Sequence, residues 1–319
     1  YPPAPGAKKV LADMEADRLR KYPDPTASVL VKELAAYYGL GEDQVFVGVG
    51  SDDVLAMSFL TFFNSDKPVL FPDVTYSFYK VWADLFKVPF ETPALKEDFT
   101  IDTKDYAKEN GGVIFPNPNA PTGVYMPLDQ VEEILKANQD VVVIVDEAYV
   151  DFAGPSAMEL LDKYENLLVV QTFSKSRSMA GMRIGFAMGH PDLIRALNDV
   201  KYSYNSYTMN LPSLLAGVEA VKDKSYFEST LAKIVATRER SKKCLAELGF
   251  TFPDSRSNFI FASHKTVPAG KIFEALKKEQ IYVRYFKTPG LDNSLRISIG
   301  TDEEMDALFR FLEAYLTNA

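Results

Sequence analysis

Lys175 stands at the lip of an apolar run. In "LLVVQTFSKSRSMAGMRIGFAMG", residues 167–189, a strand-like stretch breaks into Thr172, Ser174, Lys175, Ser176 and Arg183 before a second apolar run resumes. A lysine so placed is either a solvated loop residue or a nucleophile. Its company favours the second reading, because three hydroxyls and a fixed positive charge around one amine suit a dianionic phosphate held by charge-assisted hydrogen bonds. An amine kept near an arginine and away from bulk water is also expected to have a lowered pKa, which makes it reactive toward an aldehyde.

Three more clusters stand at the ends of expected strands, where open α/β sheets bind their ligands. In "GVGSDDVL", residues 48–55, a glycine turn runs into a helix. The amides of Ser51 and Asp52 there either take up a phosphate, favoured by unpaired N–H groups and the helix dipole, or belong to an ordinary N-cap. A dinucleotide fingerprint fails, since Asp53 stands where the third glycine is required, and a nicotinamide dehydrogenase is disfavoured accordingly. "PNPNAPTG", residues 116–123, is a rigid turn directly after a buried strand, so an asparagine such as Asn119 can face a ligand. In "VVVIVDEAYVDF", residues 141–152, five β-branched residues lead into Asp146, and Tyr149 follows three residues later. A buried carboxylate needs a cationic partner, either a structural salt bridge or a ligand. A phosphate, an aldehyde and a protonated heteroaromatic nitrogen together describe pyridoxal phosphate. Lys175 would take the aldehyde and Asp146 the ring nitrogen, which keeps the ring an electron sink.

The elements that must position these groups follow from periodicity. From about residue 45 to 190, continuous Val, Ile, Leu and Phe runs ("QVFVGV", "KPVLF", "GVIFP", "VVVIV", "NLLVVQTFS", "IGFAMG") alternate with helical stretches such as "DDVLAMSFLTFF" and "LDQVEEILKAN". Such runs are strands buried on both faces. The fold class expected is α/β, with a large cofactor-binding domain whose mostly parallel central sheet is flanked by helices. "VLVKELAAYYG" adds a helix capped by Gly39. Beyond a long helix in "YFESTLAKIVATRERSKKCLAELGF" come "SNFIFASH", "AGKIFEALKKEQ", "IYVRYF", "SLRISIG" and "DEEMDALFRFLEAYL", the order of a small α+β C-terminal domain with an antiparallel sheet. We divide the chain into an N-terminal arm (1–27), the large domain (28–220) and the small domain (221–319).

Composition narrows the partners. The net charge of -9 argues against nucleic acid, which is bound by clustered Lys and Arg. No apolar run approaches the roughly 20 residues of a membrane helix, and "YPPAPGAKKV" lacks the pattern of a signal peptide. The chain opens without Met, in mid-loop, so a preceding segment is expected. A single cysteine, Cys244, fits a reducing cytoplasm. With only His190 and His264 no metal centre is expected, and His190 in "MGHPD" reads as a turn histidine.

Taken together the motifs resemble the fold-type I, class I/II aminotransferases, and within them the histidinol-phosphate aminotransferase family. The matching stretches run in family order along nearly the whole chain: "YPPAP" (1–5), "YPDP" (22–25), "GVGSDD" (48–53), "PDVTYSFY" (72–79), "PNPNAPTG", "DEAYVDF" (146–152), "TFSKSRSMAGMRIGF" (172–186), "SNFIF" (257–261), "VR" (283–284) and "LRISIG" (295–300). The resemblance implies that Lys175 binds the cofactor's aldehyde carbon and afterwards moves the proton at the substrate Cα. It further implies that Asp146 meets the pyridine nitrogen, Tyr149 the O3′ oxygen and Tyr76 the ring face. Ser51, Asp52, Ser174 and Arg183, assisted by Thr172, hold the phosphate. Tyr22 reaches the phosphate in the neighbouring subunit, so a homodimer with shared sites is implied. Arg284, Arg296 and Tyr1 engage the phosphate of histidinol phosphate or the carboxylate of the co-substrate. Ala120 departs from the family pattern, which has Asn directly before Pro-Thr-Gly. Either Asn119 replaces that donor through a shifted turn or Tyr149 acts alone at O3′.

The implied reaction is L-histidinol phosphate plus 2-oxoglutarate to imidazole acetol phosphate plus L-glutamate. Transamination of phenylalanine or tyrosine is the enzymatic alternative, followed by decarboxylation of threonine phosphate. A non-catalytic cofactor-binding module would carry an appended helix-turn-helix or lack the lysine or aspartate, and the sequence has neither feature.

Overall fold

The computed structural model describes residues 1–317. Up to residue 222 the elements, in chain order, are α1 (Pro5–Ala12), α2 (Ser28–Tyr38), β1 (Val45–Gly48), α3 (Ser51–Phe62), β2 (Val69–Leu70), α4 (Phe78–Phe86), β3 (Phe90–Glu91), β4 (Gly112–Pro116), α5 (Leu128–Ala137), β5 (Val143–Asp146), β6 (Leu167–Thr172), β7 (Gly185–Gly189), α6 (Pro191–Tyr204) and α7 (Leu211–Lys222). They are followed by α8 (Lys224–Glu247), β8 (Phe250–Thr251), β9 (Phe259–His264), α9 (Ala269–Lys278), β10 (Arg284–Tyr285), β11 (Leu295–Ser298) and α10 (Asp302–Thr317).

The strands of the large sheet lie in the order β1-β7-β6-β5-β4-β2-β3. Only β7 runs against its neighbours, being antiparallel to both β1 and β6. Side chains of each central strand alternate between two cores. Val113, Val145 and Val169 face a layer built on Leu30, Leu34, Ile134 and Leu214. Ile114, Ile144 and Leu168 face one built on Phe59, Tyr79, Trp82 and Leu197. Period-two alternation with both faces apolar is what makes the strands read as unbroken Val/Ile/Leu runs. Because β4, β5 and β6 are parallel, Pro116, Asp146 and Thr172 all finish at one edge of the sheet. In register across β7, Gly185 lies opposite both Thr172 and Gly48. The start of α3 is thereby placed beside the turn that carries Lys175.

A second, four-stranded antiparallel sheet has the order β10-β11-β9-β8 and packs on α9 and α10 around Ile260, Ile272, Leu295, Leu308 and Leu312. Helix α8 bridges two cores: Tyr226 near its start packs against the first layer of the large sheet, and Leu245 at its end belongs to the small one. The expected elements are present, and Gly39 ends α2 in the left-handed region at φ 71. Six others went unread in the sequence: α1, α4, β3, α6, α7 and β8, the last lying where the long helix was expected to continue through Phe250. Both α1 and α6 begin on a proline that reads as a loop residue but suits a first helical position. His190 is the N-cap of α6, its Nδ1 accepting from the amide of Asp192 at 3.3 Å. Among the described residues no helix is long and apolar enough to cross a membrane.

One buried cation ties the domains. Arg238 of α8 donates from Nη1 to the carbonyls of Phe152, at 2.8 Å, and Ser257, at 3.2 Å. Replacing it by methionine keeps the apolar stem but strands two buried acceptors. Arg238→Met should lower the unfolding free energy by roughly 2–4 kcal/mol in urea titration; an unchanged midpoint would mean that water satisfies both carbonyls.

Candidate active site

At the edge where β4, β5 and β6 end lies a cavity of about 170 Å³. Its walls are Ser51 and Asp52 from α3, Tyr76 from the turn before α4, Pro116 at the end of β4 and Ala120 from the turn after it, Asp146 at the end of β5 with Ala148 and Tyr149 just beyond, and Ser174, Lys175 and Arg183 from the β6–β7 connection. A wider cleft of about 820 Å³, between residues 97–100 and the small-domain segment 251–256, holds none of these groups.

One end of the cavity is built for an anion. The N-cap of α3 is Gly50, at φ 86, and no side chain caps the helix. Ser51 and Asp52 are therefore first-turn residues rather than caps, and their amides are left for a ligand. Asp53 instead accepts from the amide of Val49 at 2.9 Å. A Cβ on Gly50 would overlap the guanidinium of Arg183, and one on Gly185 would overlap the Gly50–Ser51 backbone. The two glycines let helix, strand and arginine meet. Arg183 donates to the Ala180 carbonyl at 3.2 Å, and its Nη2 lies 3.9 Å from Asp52 Oδ2.

The other end holds a buried carboxylate with no fixed cation. Asp146 is 5% exposed. Its Oδ2 accepts from the hydroxyl of Tyr79 at 2.7 Å and its Oδ1 from the amide of Ala148 at 3.2 Å. Burial pushes its pKa up to about 6, against the pull of those two hydrogen bonds. Among the described residues it has no salt-bridge partner, so the structural ion pair is set aside. A cationic ring nitrogen fits the place, and pyridoxal phosphate would set that nitrogen and its phosphate at opposite ends. Half-buried Lys175 lies between, with Nζ 5.3 Å from the ring centroid of Tyr149. Tyr76 donates to Asp52 at 2.8 Å.

Several expected residues stand elsewhere. Ser176 turns its hydroxyl away, donating to half-buried Asp151, so the three-hydroxyl cradle is reduced. Thr172 Oγ1 donates to the Ile184 carbonyl and touches Ser174 Oγ at 3.0 Å, which makes it a support rather than part of the wall. The amide of Asn119 is spent on the turn, donating to the Val74 carbonyl at 2.9 Å and Thr122 Oγ1 at 3.1 Å; only the methyl group of Ala120 reaches the cavity. Tyr22 is 81% exposed, its ring against Tyr207 at 4.7 Å. Tyr1 lies under Lys233. Arg284 and Arg296 are direct cross-strand partners on β10 and β11. Among the described residues neither has an ion pair, and Arg296 Nε is buried without a partner. Phe259 links them to the site, packing edge-on against Tyr149 at 5.1 Å and under Arg296 at 5.1 Å. Sequence reasoning missed Tyr79, whose only signal was its place in "PDVTYSFY".

An α/β sheet with this lysine, aspartate and helix-end anion site defines a class of enzyme. The aminotransferase class I and II family matches residues 1–312, and the chain belongs to it. Within it the relatives include histidinol-phosphate aminotransferases: that of Brachyspira hyodysenteriae is 50% identical over 319 residues, covering 100% of this chain and 90% of the relative. That of Clostridium acetobutylicum is 52% identical over 305 residues, covering 96% and 87%. The crystal structure of the Sinorhizobium meliloti histidinol-phosphate aminotransferase in complex with pyridoxal-5'-phosphate shares the fold, with a TM-score of 0.90 at 24% identity, over 99% of this chain and 88% of that one.

Behind Asp146, Glu147 points to the other side of the sheet. It accepts from Ser156, from the amide of Ala157 and from Gln171 Nε2, and Gln171 in turn accepts from Tyr38. Burial raises its pKa to about 7. The folded state therefore binds the proton more tightly than the unfolded chain, so this contribution to stability is full below the ordinary carboxylate range and is lost as pH rises toward 7. Urea midpoints of the cofactor-free protein should fall across that window, and Glu147→Gln should flatten the fall; an equal slope in the variant would exclude Glu147 as its source.

Proposed function

We propose that the chain transfers the amino group of L-histidinol phosphate to 2-oxoglutarate, giving imidazole acetol phosphate and L-glutamate, with pyridoxal 5'-phosphate as cofactor, in histidine biosynthesis. The observation that carries the reading is a buried carboxylate without a cation, facing a lysine and a helix-end anion site in one cavity. When bound, pyridoxal phosphate supplies an aldehyde that captures amines and a protonated ring that withdraws electrons.

The rest of the work falls to side chains. Lys175 would hold the cofactor's aldehyde carbon, and its amine, once free, would move a proton between the substrate Cα and the cofactor's C4′. Asp146 would keep the ring nitrogen protonated, Tyr149 would hydrogen-bond O3′, and Tyr76 would cover the ring. The Ser51 and Asp52 amides, Ser174 and Arg183 would hold the phosphate. Arg284 and Arg296, like charges set opposite each other, repel until an anion lies between them. A phosphate monoester on the donor and a carboxylate on the acceptor each meet that need, so one site serves both half-reactions. The aromatic surroundings of Arg296, Phe259 and Phe286, favour phenylalanine as the competing donor.

We also assign a homodimer. Tyr22 stands outside its own cavity, 81% exposed, with the exposed ring of Tyr207 packed against it. The free cysteine Cys244 supports a cytoplasmic location.

Pyridoxal phosphate should give a visible absorbance band that borohydride fixes to wild type and not to Lys175→Ala, and histidinol phosphate should discharge it; a higher kcat/KM for phenylalanine would instead make the enzyme an aromatic aminotransferase. Sedimentation should give twice the chain mass, and Tyr22→Phe should weaken cofactor binding several-fold. A monomer with full affinity would remove the shared site.

A further inference from the structure

The hydroxyl of Tyr79 is the only polar atom of its side chain, and it lies in an aromatic nest. The residue is fully buried in the first turn of α4. Its ring packs against Phe71 at 5.9 Å, Tyr76 at 5.7 Å, Phe59 at 6.4 Å and Trp82 at 6.2 Å. A phenylalanine would fill this space equally well. The hydroxyl has one partner, Asp146 Oδ2 at 2.7 Å. Resting on the cofactor reading above, we propose that Tyr79 is a positioning residue: its hydroxyl holds the Asp146 carboxylate ionised and aimed into the cavity, and so sets how far pH can fall before pyridoxal phosphate is released.

The physics runs through Asp146. Burial disfavours the charged carboxylate, whereas a hydrogen bond donated to it favours the charged form. The groups facing Asp146 are Asp52 from α3, Tyr76 and Tyr79 from α4 and the turn before it, Tyr149 after β5, and Lys175 after β6; Glu147 points the other way. Asp52 opposes ionisation and Lys175 favours it. Tyr79 is the nearest side-chain donor, and burial followed by the Asp146 charge raises its own phenol pKa, so it stays a donor over the working range. With Oδ2 tied from behind and Oδ1 bonded to the Ala148 amide, the carboxylate plane is fixed. Its remaining lone pairs serve the cation of the ligand.

Trp82, the only tryptophan of the chain, lies 6.1 Å from the ring of Tyr76 and reports occupancy of the cavity by fluorescence. Titrating pyridoxal phosphate into the cofactor-free protein from pH 5 to 9 should show affinity falling on the acid side. In Tyr79→Phe the midpoint of that fall should move up by about one pH unit, a tenfold change in the carboxylate's protonation ratio, while affinities converge at pH 9. Asp146→Asn should abolish the difference between Tyr and Phe at 79. If the phenylalanine variant does not fold, 3-fluorotyrosine at 79, a stronger donor of nearly the same shape, decides the matter by moving the midpoint down. A uniform loss of affinity at every pH, an unmoved midpoint, or an equal effect in the Asp146→Asn background would overturn the assignment of Tyr79 while leaving the function intact. Failure of the wild type to bind pyridoxal phosphate would overturn both.

Discussion

A carboxylate buried at the end of a central strand, with no cation of its own, is the constraint around which this molecule is arranged. Charge in an apolar interior is costly unless it is paired and hydrogen-bonded. Asp146 receives its hydrogen bonds from the protein, through Tyr79 and the Ala148 amide, and leaves the pairing to a ligand. The neighbouring Glu147 shows the opposite solution: its oxygens are fully occupied by Ser156, Ala157 and Gln171. Two adjacent acids on opposite faces of one strand are thus divided into one that is chemically open and one that is closed.

The phosphate end depends on a close backbone approach. Thr172, Gly185 and Gly48 lie in one line across β6, β7 and β1, and the absence of side chains at Gly50 and Gly185 brings the first amides of α3 to Arg183. Neither contact is local in sequence: more than 130 residues separate the helix start from the arginine. Because β7 is antiparallel, it begins at the edge where β1 and β6 end, so that the start of α3 and the turn carrying the lysine share one cavity.

The small domain enters through aromatic and buried polar contacts. Phe259 sits between Tyr149 of the cofactor cavity and Arg296 of the small sheet. Arg238 binds the carbonyl after the β5 loop to the carbonyl before β9. The pair of facing arginines is therefore joined by direct packing to the cofactor side of the cleft.

Most of the strand and helix pattern, the mostly parallel sheet, the small antiparallel sheet and the grouping of Lys175, Asp146, Tyr149, Ser51, Asp52 and Arg183 were legible in the sequence. Each rests on local chemistry: buried strands are runs of Val, Ile and Leu, and functional groups cluster where such runs break. The α1 and α6 helices were not legible, because their opening prolines look like loop residues. Direction of side chains was also beyond the sequence. Ser174 and Ser176 look alike in a row of hydroxyls, yet one faces the cavity and the other Asp151; Asn119 reads as a ligand-facing donor until its amide is found holding the turn. Residue types and spacing by themselves determined the class of chemistry and the strands that carry it. Which polar groups remain free for a ligand was decided only by the tertiary structure, because a donor or acceptor is available only when no distant part of the fold has already satisfied it.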